Sequence, residues 1–279
     1  MDKSRASGWY KGPITQGLEP KPVRISAMMH TVCVTVGHLS TYKLHAHTFG
    51  GKMDDDLQSL HENVVTTQKW VNLMDVILDD FKGKDHCITM DSAYMGEVMA
   101  QIGCNEWQLN MIGTSQPNRV GVNIKEIVDK MKIGTYELII WEHKSKNLVF
   151  TTWSDNAIMK TLSNYHSATI FDAEDGLRQR GKDENKKREM CQKPVLCLEQ
   201  TKTFCKTFHL INKENGVEAK YDIAGNTRTH NWAPKLVFHL FNMAMNNAYI
   251  MYKELVLRDS GKTLSMGKAV KELAHGLCQ

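Results

Sequence analysis

Segments with strand character and segments with helical periodicity alternate over the first hundred residues of the chain. β-Branched residues and methionines dominate residues 27–36, and polar and apolar residues alternate over residues 42–49. These two segments predict a hairpin that turns at residues 37–40. Apolar residues then recur at helical spacing over residues 66–80. This alternation predicts a mixed α/β fold.

The elements that follow place an acidic residue at the end of a strand. Residues 88–90 form a short apolar strand, and Asp91 comes directly after it. Residues 93–102 have helical character, and Gly103 is expected to end that helix. The predicted order up to this point is therefore strand, strand, helix, strand, helix.

Further strand signals follow in the middle of the chain. Residues 107–112 predict a strand and residues 124–131 a short helix. Residues 136–141 and 148–153 are rich in β-forming residues and flank a Lys-Ser-Lys-Asn turn, which predicts a second hairpin. Residues 172–189 contain almost no apolar residues and predict a solvated loop or linker.

A long helix is predicted near the end of the chain. It follows a mixed region up to Tyr221, begins at Trp232 and has Pro234 in its first turn. We expect this helix to pack in the core through one apolar stripe, with a binding face as the less favoured alternative. The stripe consists of Val237, Leu240, Phe241, Ala244, Ala248 and Met251.

The composition indicates a globular protein but does not indicate which chemistry it carries out. The chain has 279 residues, of which 42% are apolar and 24% charged, so it can bury one large core or two smaller ones. Its formal net charge of +4 is compatible with nucleic acid contact and also with its absence. Seven cysteines without a Cys-x-x-Cys pair, and an N-terminus without signal-peptide features, indicate reduced intracellular thiols. No apolar run approaches the roughly 20 residues of a membrane span, so a membrane protein is excluded.

Several motifs in the chain match those of one transposase family. Asp91 begins the sequence Asp-Ser-Ala-Tyr, and the helix that starts with Trp232 carries Asn-Asn-Ala-Tyr at residues 246–249. Residues 42–52 carry a tyrosine, an aromatic residue and Gly-Lys, and residues 204–215 carry Lys-Thr at the family's spacing. From about residue 21 to about residue 257 the chain resembles the catalytic domain of piggyBac-type transposases. The resemblance implies an RNase H-like (retroviral integrase-like) core.

The resemblance also implies a damaged metal site. In this family, acids from three places hold two divalent cations, Mg²⁺ or Mn²⁺, which activate water or a 3′-hydroxyl. Asp91 matches the second acid, whereas Gly37, with His38 as the neighbouring alternative, occupies the first position. Asn212 and Asn215 occupy the paired third positions. Asparagine keeps the shape of aspartate but not its negative charge. One of four acids remains, so we expect no resident metal ion.

Three other groups of residues offer alternatives for a metal site. Neighbouring carboxylates could replace the lost acids, although metal sites tolerate little misplacement. The acidic run at residues 54–56 is expected to be a solvated loop. Histidines near the first hairpin could suggest zinc, although strand positions without a metal are the preferred interpretation. The carboxylates are Glu199, Glu214, Glu218 and Asp222, and the zinc candidates are His30, His38, His45 and His47 with Cys33.

Basic residues outside the acid positions are candidates for contacts with the DNA backbone. These candidates are Arg119, Arg178, Arg180, Lys186, Lys187, Arg188 and Arg228. For Asp91 two interpretations are kept: a former metal ligand, and a plain carboxylate that caps a strand end or helix.

The resemblance implies a domain partition and a function. The expected parts are a loose or truncated tail (1–20), the first part of the core (21–134), a hairpin and charged-loop insertion (135–193), a return to the core (194–257) and a tail (258–279). We expect no counterpart of the family's N-terminal dimerisation and DNA-binding region or of its C-terminal zinc-binding domain in this sequence. We expect a transposase-derived catalytic-domain fragment that does not cleave DNA, with residual DNA or protein binding, self-association as in the family, and a nuclear location if it is functional. The alternative is a divergent active transposase that uses two divalent metals.

Overall fold

The computed structural model describes most of the chain in sixteen segments. These are residues 2–7, 15–17, 25–36, 40–48, 68–120, 125–133, 137–142, 147–154, 157–167, 170–173, 177–182, 188–192, 195–221, 223, 231–259 and 261–277. The chain divides into two compact units. The first unit comprises residues 1–62 and 209–279, and the second comprises residues 63–208.

The described segments contain thirteen strands and six α-helices. The strands are β1 Asp2–Ser7, β2 Thr15–Gly17, β3 Ile25–Val36, β4 Ser40–Thr48, β5 Cys87–Met90, β6 Asn110–Thr114, β7 Leu138–Glu142, β8 Val149–Ser154, β9 Ile158–Ser163, β10 Ile170–Ala173, β11 Leu177–Lys182, β12 Arg188–Gln192 and β13 Val195–Leu198. The helices are α1 Gln68–Ile77, α2 Glu97–Asn105, α3 Lys125–Lys130, α4 Glu199–Lys220, α5 Trp232–Asp259 and α6 Met266–Leu277. None of these helices is both long and apolar enough to cross a membrane.

The first unit is built on an antiparallel sheet centred on β3. Strands β1, β2 and β4 all pair with β3. The β3–β4 pair runs from Val36 opposite Ser40 to Met29 opposite Thr48, which confirms the first predicted hairpin. Strands β1 and β2 lie in the segment predicted to be a loose tail, because pairing with β3 overrides their polar composition.

Helix α5 covers this sheet with a face that the sequence analysis did not predict. The helix contacts β1 and β4, and its buried positions include Lys235, His239, Asn242 and Asn246. The predicted apolar stripe faces outward instead, with Val237 and Phe241 among its exposed residues. The expectation that the stripe packs in the core is therefore wrong for this unit.

The second unit contains a five-stranded mixed sheet in the order β5, β6, β9, β8, β7. Strands β5 and β6 are parallel and are joined by α2, whereas the remaining pairs are antiparallel. The β7–β8 pair confirms the second predicted hairpin. Strands β7 to β9 lie in the predicted insertion, yet they extend the sheet that contains β5.

Methionines and aromatic residues fill the core of the second unit. The largest fully buried side chains include Tyr94, Phe150, Met90, Met95, Met99 and Met111. Gly113 on β6 leaves room for this packing, because an added Cβ would lie 2.6 Å from the carbonyl oxygen of Met90. Gly103 on helix α2 faces the Met111 side chain and likewise leaves room for it. The helix continues past Gly103 to Asn105, so the prediction that this glycine ends it is wrong.

Other predictions differ from the structure in detail. The helix predicted at residues 93–102 is a turn followed by α2, and the strand predicted at residues 107–112 is β6, three residues later. The predicted loop at residues 172–189 contains strand β11 and the start of β12. The mixed region after Leu198 is helix α4, and α6 lies within the predicted C-terminal tail.

Candidate functional site

Asp91 lies where the buried strand β5 ends, and its side chain holds the turn that follows. The Asp91 Oδ1 atom accepts hydrogen bonds from the backbone N–H of Ser92 at 2.6 Å and from the Ser92 hydroxyl at 3.2 Å. The Asp91 carbonyl oxygen accepts from the N–H groups of Tyr94 and Met95 at 3.0 and 3.1 Å. Asp91 therefore holds the turn after β5 through hydrogen bonds to Ser92, Tyr94 and Met95, whereas the N-cap of the following helix α2 is Gly96.

Arg119 binds the backbone of the same turn. Its Nη1 atom donates to the carbonyl oxygens of Ser92 and Ala93 at 2.8 and 3.0 Å. Arg119 also lies next to Gly96, since a Cβ added at Gly96 would be in ordinary van der Waals contact with the Arg119 Cβ atom. Arg119 was predicted to contact DNA, and the structure places it as a support for the Asp91 turn. No local sequence motif indicates this role, because the hydrogen bond joins two residues that are 27 positions apart in the chain.

A threonine pair attaches helix α4 to strand β5. The Thr89 hydroxyl donates to the Thr207 hydroxyl at 2.8 Å, and Thr207 donates to the Thr203 carbonyl oxygen at 2.9 Å. Thr207 belongs to the Lys-Thr motif that sets the register of the predicted third acid segment. The structure thus brings the start of that segment onto the strand that ends at Asp91.

The structure describes the other predicted acid positions only in part or not at all. Gly37 and its alternative His38 lie outside the described residues, and Asn212 and Asn215 are described only as part of the backbone of α4. Among the described residues there is no group of three or more His, Cys, Asp or Glu side chains that could hold a metal ion. Asp91 therefore belongs to no such group among the described residues.

The predicted zinc residues lie on the first hairpin. His30 is buried and stands opposite His47 in the β3–β4 register, while Cys33 stands opposite Lys43. In the described segments this arrangement supplies no metal-binding group of three. His38 and the acidic run at residues 54–56 lie outside the described residues.

Comparison with protein-family models shows which family the chain belongs to. A family model described as Transposase IS4 matches residues 9–249. The chain belongs to this transposase family. A search of curated proteins returned no match.

A solved structure supports the same assignment at the level of fold. The structure of a piggyBac transposase synaptic complex with hairpin DNA, determined by cryo-EM, matches 98% of this chain with a TM-score of 0.71 and 15% sequence identity. The match covers 50% of the solved chain, so this transposase relative spans about half of that length. The predicted piggyBac resemblance and the α/β RNase H-like fold class are confirmed.

Strands β11 and β12 of this transposase-family chain form a basic hairpin. Arg178 lies opposite Cys191, and Lys182 lies opposite Arg188, with a register irregularity around Arg180. Residues 177–192 contain six basic and three acidic residues. Of the predicted DNA contacts, Lys186, Lys187 and Arg228 lie outside the described residues.

A cluster at the other end of β5 was not predicted. The Cys87 thiol and the Tyr165 hydroxyl lie 3.0 Å apart, and burial raises the pKa of both groups. Cys87 as a whole is exposed. This thiol is poorly reactive, because the thiolate is the nucleophilic form.

The same cluster contains a neutral histidine. The Ser163 Oγ atom accepts hydrogen bonds from the backbone N–H groups of Tyr165 and His166. The same atom lies 2.9 Å from the ring Nδ1 atom of His166. The Ser163 hydroxyl therefore donates to Nδ1. Burial lowers the pKa of His166, and the Glu199 carboxylate opposes that shift.

The position of Glu199 bears on the search for substitute acids. Its charge acts on Tyr165 and His166, and Tyr165 contacts Cys87. Cys87 and Asp91 are four residue steps apart, which is about 13 Å along a strand. Glu199 thus lies toward the Cys87 end of β5. The side chains of Glu214 and Glu218, and all of Asp222, lie outside what the structure describes.

Proposed function

We propose that this chain is a transposase-derived DNA-binding protein that does not cleave or join DNA strands. The observation that carries the proposal is the state of the acid positions: Asp91 is a carboxylate, whereas Gly37, Asn212 and Asn215 are not. The hydrogen bond from Thr89 to Thr207 supports the register behind the two asparagines.

The chemistry of strand cleavage explains why these changes matter. Two divalent cations need several converging carboxylates, because the carboxylates offset the charge of the ions and fix their positions. Glycine offers no ligand, and each asparagine offers one neutral carbonyl oxygen. The Oδ1 atom of Asp91 already accepts two hydrogen bonds from Ser92. These residues do not fit a two-metal site.

DNA binding is proposed to rest on the basic hairpin of β11 and β12. Like charges that lie directly opposite each other destabilise a strand pair, and Lys182 and Arg188 are such a pair. A bound phosphate backbone would relieve this repulsion and would attract the hairpin without regard to base sequence. The synaptic complex of the piggyBac relative contains hairpin DNA, which supports the class of partner.

We also have expectations for the cellular location of the protein and for its assembly state. A protein that acts on chromosomal DNA is expected in the nucleus. We also expect self-association, as the family resemblance implies.

The proposal is tested with the purified full chain and supercoiled plasmid DNA in the presence of Mg²⁺ or Mn²⁺. The expected result is that no nicked or linear product forms with either ion. Metal-dependent nicking that the Asp91→Ala variant abolishes would overturn the proposal and support a divergent active transposase. Nicking that survives this substitution would indicate a contaminating nuclease, and the preparation would be repurified before the comparison is made.

A further inference from the structure

A cavity of about 300 Å³ lies between helices α5 and α6 of the first unit. Its volume is at the lower end of the range for small-ligand pockets, so it fits one side chain or one small molecule. Aromatic rings, thioethers and aliphatic groups form its walls, and one glutamate is the only charged residue among the described residues that line it. The lining residues used below are Met245, Tyr249, Tyr252, Leu264, Met266 and Glu272.

Two hydrogen bonds to one residue hold the tyrosine rings in place at this cavity. The Tyr249 hydroxyl donates to the Leu264 carbonyl oxygen at 2.9 Å, and the Tyr252 hydroxyl accepts from the Leu264 backbone N–H at 3.3 Å. The two ring centroids lie 6.3 Å apart, with an angle of 31° between the ring planes. A cation beside both rings can therefore lie within roughly 6 Å of each centroid, the distance over which ring faces attract positive charge. Because the rings are fixed before a ligand arrives, less entropy is lost on binding.

The charge of the cavity also favours a cation. Glu272 is exposed, and it forms no ion pair with any residue that the structure describes. Burial raises the pKa of Tyr249, and Tyr221 and Tyr252 add to that shift, so the Tyr249 phenol stays neutral. The one formal charge on the described lining is therefore the negative charge of Glu272, which attracts a cation and repels an anion.

The walls favour a methylated ammonium group over a primary one. A primary ammonium carries three N–H donors, and each of them needs an acceptor. Both tyrosine hydroxyls are already bonded to the Leu264 backbone, so Glu272 is the main acceptor left on the described lining. Methylation keeps the positive charge and removes the donors. The methyl groups can then contact the tyrosine rings and the thioethers of Met245 and Met266.

The apolar lining also indicates which molecule carries this group. The four-carbon stem of a lysine side chain is apolar, and Met245, Leu264 and Met266 supply apolar contacts for it. Choline instead carries a hydroxyl, which would lose its hydrogen bonds to water on entering such a cavity. The lining residues Glu272 and Leu273 are exposed, so a side chain can enter there while its main chain stays outside.

We propose that the cavity between α5 and α6 binds a methylated lysine side chain of a protein partner. The trimethylammonium group lies against the rings of Tyr249 and Tyr252 and near the carboxylate of Glu272. The stem of the lysine lies along Met245 and Met266. This site does not depend on the loss of strand cleavage or on the basic hairpin.

The test measures, by fluorescence anisotropy, how tightly the full chain binds a labelled glycine–serine peptide that carries one trimethyllysine. Two comparison peptides differ only at that residue. One carries unmodified lysine, which has the same charge, and the other carries the neutral isostere in which carbon replaces the nitrogen. We expect the trimethyllysine peptide to bind about tenfold more tightly than either comparison peptide. Free choline should compete about tenfold less well than an unlabelled trimethyllysine peptide.

Four variants connect this binding to the cavity. Glu272→Gln should weaken trimethyllysine binding by about two- to fivefold, because it removes an exposed charge. Glu126→Gln removes an exposed charge from the other unit and should bind like the natural chain. Tyr252→Leu removes one ring and should weaken binding by about tenfold, whereas Tyr252→Phe keeps the ring and should stay within about twofold. Circular dichroism checks that both Tyr252 variants keep the helix content of the natural chain.

Several results would overturn the inference. A neutral isostere that binds as tightly as trimethyllysine would show an apolar pocket without preference for a cation. A natural chain that does not bind the trimethyllysine peptide, or a Glu272→Gln variant that binds it as tightly as the natural chain, would remove the site. Choline that competes as well as the peptide would overturn the assignment to a lysine side chain. None of these results affects the proposed loss of strand cleavage, because that proposal is tested by metal-dependent nicking.

Discussion

Asn72 is fully buried on helix α1, and neither polar atom of its side chain has a hydrogen-bond partner among the residues that the structure describes. Burial of an unpaired amide is unfavourable, so an apolar residue of similar size should be better tolerated. We expect Asn72→Leu to raise the free energy of unfolding by about 1 to 2 kcal/mol. Urea denaturation of this variant and of Asn105→Leu, at an exposed position, measures the difference. A destabilised Asn72→Leu variant would show that the amide has a partner.

Gly113 is a second position where one residue controls packing. A Cβ at this position would approach the Met90 carbonyl oxygen to 2.6 Å and the Met95 Cγ atom to 2.9 Å, and backbone cannot move aside cheaply. We expect Gly113→Ala to lower the free energy of unfolding by about 2 to 3 kcal/mol. Gly216→Ala is the control, because nothing lies within 4 Å of its added Cβ. Equal stabilities for the two variants would contradict the close contact between β6 and the strand end before Asp91.

The neutral state of His166 predicts a pH dependence of stability. Its pKa is lower in the folded chain than in the unfolded chain, so the unfolded state binds more protons between the two values. The contribution of His166 is therefore complete above about pH 6.5 and is lost as the pH falls through the folded value. Denaturation at several pH values should show a smaller loss of stability in acid for His166→Asn than for the natural chain. Identical profiles would contradict the burial of a neutral imidazole.

At the scale of elements, the Thr89–Thr207 hydrogen bond joins α4 to β5. A double-mutant cycle with Thr89→Val and Thr207→Val isolates this contact, because valine keeps the shape of threonine. We expect a coupling free energy of about 0.5 to 1.5 kcal/mol. The pair Thr151→Val and Thr207→Val serves as the control, since Thr151 bonds to Thr161 instead. A coupling near zero between Thr89 and Thr207 would remove the support for the register behind Asn212 and Asn215.

The basic hairpin gives a prediction for DNA binding. We expect the apparent affinity for a random-sequence duplex to fall as salt rises, with a slope that decreases by about 0.9 for each phosphate contact removed. Replacing Arg178, Arg180 and Arg188 together with glutamine should weaken binding and flatten this slope. Replacing the exposed Lys262, Lys268 and Lys271 with glutamine removes the same number of charges and is the control. Fluorescence anisotropy measures both variants, and binding that is independent of salt would exclude phosphate contacts.

Local patterns were sufficient to predict some of these elements. Alternation and turn residues predict the β3–β4 and β7–β8 hairpins, because cross-strand pairing there is short in range. The apolar run before Asp91 also predicts β5, although its partner β6 lies 23 residues further along the chain. Helix α4 was not predicted, because its apolar residues form no clean stripe and its packing depends on β5. Periodicity finds the apolar face of α5, but it cannot say whether that face meets the sheet or solvent.

The candidate site was predictable only in part. The acidic residue at a strand end identifies Asp91 from sequence alone. The support that Arg119 gives to the following turn depends on a contact between distant segments, and a list of basic residues presents it as a surface charge. The Cys87, Tyr165 and His166 cluster was missed because its members come from two strand ends that meet only in the folded sheet.

At the scale of the whole molecule, the chain has a transposase fold over nearly all of its length, whereas under the proposed alignment three of its four acid positions carry glycine or asparagine. A fold and its metal site can be separated in this way, because the core is held by apolar packing and the site by a few charged groups. Restoring the charges should then restore metal binding without rebuilding the fold. The relevant variant combines Gly37→Asp, Asn212→Asp and Asn215→Asp.

A calorimetric titration with Mn²⁺ tests this central claim most directly. The natural chain should bind Mn²⁺ weakly, and Asp91→Ala should leave that binding unchanged. The restored variant should bind at least about tenfold more tightly, a difference of about 1.4 kcal/mol, and should lose the gain when Asp91→Ala is added. The contradictory result is a natural chain that already binds two Mn²⁺ ions tightly and loses them in Asp91→Ala.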